Sequence, residues 1–139
     1  MILLNNPLRT CLRLQWIWFA FAVGYNVVSI WRTSQGQPPL IEGRNPTDSI
    51  ISLMIIIPVF VAGAMGQLRF YALSNLVCML LVSYVGVVVH LKTYWINDIG
   101  RYSDFYSWLL AVGINMFGVC AGIAGSVFAW RSAKNASNT

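Results

Sequence analysis

Apolar residues gather in four long blocks separated by polar stretches. Each block can cross a hydrocarbon core, which takes about 20 helical residues. The blocks run over residues 12–31, 50–68, 70–91 and 106–130. They predict an all-α integral membrane protein: a four-transmembrane-helix antiparallel bundle forming one membrane domain over residues 1–139. In the first block Ala20, Phe21 and Ala22 offer the small side chains of a cleavage site. The apolar run ahead of them is too short for a signal peptide and continues beyond them, so the block reads as a span.

The connections differ in kind. Between the second and third spans lies only Gly66-Gln67-Leu68-Arg69, a tight helical hairpin with glycine where a helix stops. The outer loops, 32–49 and 92–105, are longer. The first carries the breakers Gly36, Pro38, Pro39, Gly43 and Pro46, and Thr47 or Asp48 is the predicted cap of the second span. The second carries Tyr94, Trp95, Tyr102 and Phe105, aromatics suited to the headgroup level. Pro58 falls inside the second span, where its missing N–H predicts a kink and a freed carbonyl. Residues 131–139 read as a polar tail.

Composition excludes a soluble domain. Hydrophobic residues make up 58% and charged residues 9%, against roughly 25% charge in soluble proteins. Disorder is excluded by the same figures, because disordered segments are polar and poor in aromatics. The net charge of +5 is spread over single basic residues, so no nucleic-acid patch forms. Arg9, Arg13, Arg69, Arg131 and Lys134 lie on one side of the predicted bundle. Arg32, Arg44, Lys92, Arg101 and all four acids (Glu42, Asp48, Asp98, Asp104) lie on the other. Basic short flanks without acids predict cytoplasmic termini, extracytoplasmic long loops and residence in a cytoplasmic (inner) membrane.

Small and polar residues recur at helical spacing in every span. The predicted inward stripes are Gln15, Phe19, Ala22, Asn26, Ser29; then Ser52, Ile56, Val59, Gly63, Gly66; then Asn75, Met79, Ser83, Gly86, His90; and Ala111, Asn115, Gly118, Gly122, Ser126, Ala129. Gly63, Gly66, Gly118, Gly122 and Ser126 are the candidate packing interface, because small residues let helices approach closely in lipid. Asn26, Ser83, Gly86, His90 and Asn115 fall in the loop-side half and form a candidate pocket, floored near Met79 and roofed by the loops. The competing reading is that Asn26, Ser83 and Asn115 bond one another as interhelical glue. Gln15 and Asn75 are the inward polar residues of the other half.

Candidate chemistry is sparse. No acid lies inside a span, and no metal-ligand spacing or nucleophile–base pair is present. His90, the single histidine, reads as a solvated interface residue; alone it could ligate one pigment or haem, and no other cofactor is expected. The tryptophans Trp16, Trp18, Trp31, Trp95, Trp108 and Trp130 read as interfacial belts, whereas Tyr25 and Tyr84 lie within spans and need hydroxyl partners. Cys11, Cys78 and Cys120 show no paired spacing.

These features lean away from an enzyme. The leading expectation is a non-catalytic accessory, assembly or scaffold subunit of a larger membrane complex, partnered by the bilayer and by other subunits or its own copies. The alternatives are a small-solute transporter or channel, and an outward-opening pocket for a lipid, quinone or pigment.

Overall fold

A computed structural model describes residues 6–96 and 98–137. It is 83% helical, with no strand among the described residues, and four of its helical stretches are long and apolar enough to cross a membrane. The first is α1 (Asn6–Ser34). The second is split into α2 (Pro46–Met54) and α3 (Ile57–Ala64). The third joins α4 (Leu68–Ser83), a π-helical turn (Tyr84–Val88) and α5 (Val89–Trp95). The fourth is α6 (Phe105–Ala136).

The first, third and fourth spans are longer than their apolar blocks, because the helices continue into flanking polar residues, while the second, Pro46–Ala64, keeps the length of its block and lies four residues earlier. The tail expected from 131 is helical to Ala136, while residues 138 and 139 lie outside the described residues. The outer loops shrink in the same way, to 35–45 and 96–104; Asn97, within the second, is also outside the described residues.

Local chemistry sets the ends. Asn45, rather than Thr47 or Asp48, caps α2: its side-chain oxygen accepts from the Thr47 amide at 3.0 Å, with Pro46 in the first turn, where its missing donor is harmless. Asp104 caps α6, accepting from the Ser107 amide at 2.7 Å. Gly66, at φ 81°, adopts the left-handed conformation that closes α3, and the Gln67 amide reaches back to the Ala62 carbonyl at 2.9 Å.

Pro58 does more than kink its span. It cannot donate to the Met54 carbonyl, and the helix breaks at Ile55 and Ile56. The two halves then find different neighbours: α2 packs chiefly on α1, and α3 packs on α4. α6 lies against both α1 and α4 and completes the bundle.

One end of the bundle is tightly filled. Leu8, Leu12, Trp18, Phe60, Tyr71 and Met79 are buried together there. Glycines of α6 make the close approach possible. A Cβ on Gly118 would stand 2.4 Å from the Trp18 indole, on Gly122 2.3 Å from Met79, and on Gly125 2.5 Å from the Tyr71 hydroxyl. A Cβ on Gly63 would likewise stand 2.7 Å from the Tyr71 ring. Trp18 is therefore a core residue, fully buried, and not part of a belt; Trp108 is buried as well. Trp16, Trp31, Trp95 and Trp130 remain exposed.

At the other end the two outer loops touch. Ile41 and Tyr102 form an antiparallel bridge, the Glu42 amide donates to the Arg101 carbonyl at 2.7 Å, and the Ser103 amide donates to the Leu40 carbonyl at 3.2 Å. The Leu40 amide in turn donates to Ser29 Oγ on α1 at 3.0 Å.

Candidate functional site

Polar side chains inside the bundle divide into a closed set and an open set. The closed set lies at the filled end and joins three helices. Tyr71 donates to Gln15 Oε1 at 2.8 Å, and Gln15 Nε2 donates to Asn75 Oδ1 at 3.3 Å. Asn75 Nδ2 donates to Ser126 Oγ at 2.9 Å and to the Gly122 carbonyl at 2.8 Å. Gln15, Asn75 and Tyr71 are fully buried. This network is the interhelical glue, and it draws on Gln15 and Asn75 rather than on Asn26, Ser83 and Asn115. Ser126 of the expected interface joins it directly, and Gly122 contributes its carbonyl. Gly66 does not belong to that interface, because its place is the turn.

The open set lines a cavity of about 460 Å³ between α1, α2, the third span and α6. Of the five candidate pocket residues, Asn26, Gly86, His90 and Asn115 border it and Ser83 does not. Pro58 accounts for the space: with α2 leaning on α1, the end of α4 and the π-helical turn have no close neighbour on that side. Ser52 on α2, Ile55 in the break that follows it, and Leu81 and Val85 on the third span line the cavity together. All four are exposed, as is Arg44 at the loop end of the lining. Ile41 and Arg44 border the cavity at its loop end, Cys78 at its other end.

The inner wall carries two amides with a shared habit. Asn26 Nδ2 donates to the Ala22 carbonyl and Asn115 Nδ2 to the Ala111 carbonyl, each at 2.8 Å and each within its own helix. One N–H of each amide is thus committed within its own helix, while the second N–H and the Oδ1 make no hydrogen bond to the described residues. Gly86 makes room for one of the two amides, since a Cβ there would lie 2.6 Å from Asn115 Cγ. The π-helical turn is centred on this residue; such turns insert one extra residue and recur at functional sites.

His90 departs from the solvated histidine expected. It is only 4% exposed, its Nδ1 is hydrogen-bonded to the Tyr102 hydroxyl, and its backbone carbonyl accepts from Trp108 Nε1 at 2.9 Å. Tyr102 comes from the second outer loop, and burial pushes its hydroxyl pKa up from the ordinary value. Tyr25 also finds its partner in this region, donating to the Ser107 carbonyl at 3.0 Å. Tyr84 points outward and is exposed.

Sequence spacing placed Asn26, Gly86, His90 and Asn115 on inward faces. It missed Cys78, Val82 and Ile114, which look like any apolar helix residue, and Arg44, which lies in a loop. Among the described residues no group of three or more His, Cys, Asp or Glu could hold a metal ion. No family model, curated protein or solved structure matches the chain.

Proposed function

We propose that this protein is a small integral membrane protein that holds one lipid-soluble amphiphile in a lateral cleft, without itself catalysing a reaction. The carrying observation is the cavity of about 460 Å³, whose lining includes the exposed residues Ser52, Ile55, Leu81 and Val85, which on this reading form a lateral mouth between α2 and the third span. Its size falls within the range of small-molecule sites, and its lining has their character: mostly apolar, with a few polar groups converging at one end. A lateral mouth suits a ligand that arrives through the bilayer. Leu81, Val82, Val85, Leu53 and Ile55 would meet its chain.

Positive flanks favour cytoplasmic termini in a cytoplasmic membrane, which would set the cleft in the extracytoplasmic leaflet. A subunit of a larger complex could present such an amphiphile to a partner, so the accessory role is compatible with the cleft. A pore through one chain gains no support, because Trp18, Phe60 and Met79 fill the axis below the cavity.

Cross-linking in vesicles tests the proposal. A fatty alcohol bearing a diazirine on its chain should give adducts concentrated on Leu53, Ile55, Leu81 and Val85. Adducts spread evenly over the other lipid-facing residues, such as Phe21, Leu73 and Leu109, would overturn it.

A further inference from the structure

The end of the bundle away from the outer loops carries a second concave site, independent of the cleft. A groove of about 270 Å³ lies where the first turn of α4 meets the last turns of α6. Arg69, Trp130, Ala133, Lys134 and Ser137 border it. Two cations from different spans are thus brought to one groove.

Neither cation has a counter-charge there. Among the described residues the one ion pair joins Arg101 to Asp98 in the second outer loop. All four acids (Glu42, Asp48, Asp98, Asp104) belong to the loop end. Asp104 and Lys134 are separated by nearly the whole of α6, about 45 Å at the helical rise per residue. That is several Debye lengths at physiological salt. Arg9, Arg13 and Arg131 add further positive charge at the groove's end of the bundle. Two like charges beside one groove repel, and an anion set between them relieves the repulsion. The helix ends pull in opposite directions: the first amides of α4, which Gln67 leaves without a side-chain cap, favour an anion, and the last carbonyls of α6 oppose it. These partial charges offset, so the full charges of Arg69 and Lys134 decide the sign.

The surroundings decide what bears the anion. Trp130 is half-exposed and closes the apolar block of the fourth span, where indoles settle at the headgroup level. About one turn further into each span, Leu73 on α4 and Val127 on α6 are exposed apolar side chains. A soluble anion would have no use for that path, and an acidic protein segment would bring nothing to cover it. A phospholipid would set its phosphate beside the cations and its chains along Leu73 and Val127. Basic pockets between membrane helices bind lipid head groups in this way.

We infer that this groove is a site for the phosphate of one anionic phospholipid, held between Arg69 and Lys134.

Native mass spectrometry of the full chain in mild detergent tests it, with equal amounts of dioleoyl phosphatidylglycerol and dioleoyl phosphatidylcholine present. The wild-type chain should retain one phosphatidylglycerol, preferred over the zwitterionic lipid roughly tenfold, about the worth of two surface cations. Arg69→Gln with Lys134→Gln should lose that preference. Arg9→Gln with Arg13→Gln removes the same charge from the same end and should keep it. All four of these residues are exposed, so helical circular dichroism should be unchanged in both variants. Equal loss of preference in the two variants overturns the site in favour of diffuse attraction. No preference in the wild-type chain overturns it outright. Retention of glycerol 3-phosphate, which has no chains, as strongly as the lipid overturns it in favour of a soluble phosphate.

Discussion

Two asparagines of the same type, each on an inward helix face, do different work. Asn75 is fully buried and joins α4 to α1 and α6, whereas Asn26 bonds only within α1. Replacing Asn75 by leucine orphans Gln15 Nε2 as well as removing bonds. Asn75→Leu should therefore destabilise the bundle by about 1–2 kcal/mol, the upper end for polar contacts between membrane helices. Asn26→Leu should shift stability by less than about 0.5 kcal/mol. Unfolding in mixed detergent micelles, followed by helical circular dichroism, measures both. Gly118→Ala is a sharper test of packing. Its Cβ would meet the buried Trp18 indole at 2.4 Å, and Trp18 is hemmed in by the Phe60 ring. A loss of about 1–3 kcal/mol is expected from the overpacking. The sequence made Gln15, Asn26, Asn75 and Gly118 visible on inward stripes, though not Trp18 or Phe60. It could not say which polar ones would meet, because that depends on helix rotation and on the break at Ile55 and Ile56, neither of which leaves a pattern in spacing.

At the scale of the element, end groups and breaks carry the account. Asp104 caps α6, and hydrogen bonds from the Ser107 amide, with lesser help from Ser107 and Ser103 hydroxyls, hold its carboxyl below the usual carboxylate pKa. A folded-state pKa below the unfolded one means that the stabilisation is complete above the ordinary carboxylate value. It is lost as pH falls through the lowered, folded value. Stability should thus decline at the acid end of this range, and Asp104→Asn should flatten the decline while keeping a capping oxygen. Titrating the unfolding midpoint of both proteins between neutral and acid pH checks the sign. Pro58 was legible as a kink; its consequence for partner choice was not. Local sequence announces a missing donor, whereas the separation of α2 from the third span follows from what each half packs against.

For the whole molecule, scarcity of charge was the most legible feature and the membrane class followed from it directly. The filled end and the open end were also partly legible: Gln15 and Asn75 stood apart from Asn26, Gly86 and Asn115 by depth alone. The meeting of the outer loops was not. The Ile41–Tyr102 bridge and the seating of Tyr102 against His90 join residues far apart in the chain, with no periodic signal to pair them. A tryptophan of the first span was misread for a related reason. Trp18 lies near a span end by count, yet α1 extends back to Asn6, so the indole falls within the bundle against Gly118. The central claim, that the loop-side half is a lateral cleft for one amphiphile, is a statement about stoichiometry. Native mass spectrometry of the protein released from mild detergent measures it most directly, with 4-dodecylphenol as ligand. Ser52→Trp, at the exposed edge of the mouth, provides a plugged comparison that leaves the core untouched. A single bound phenol on the wild-type chain, absent from Ser52→Trp, is the predicted result. An unliganded wild-type chain at saturating phenol, or equal binding to the plugged variant, would contradict it.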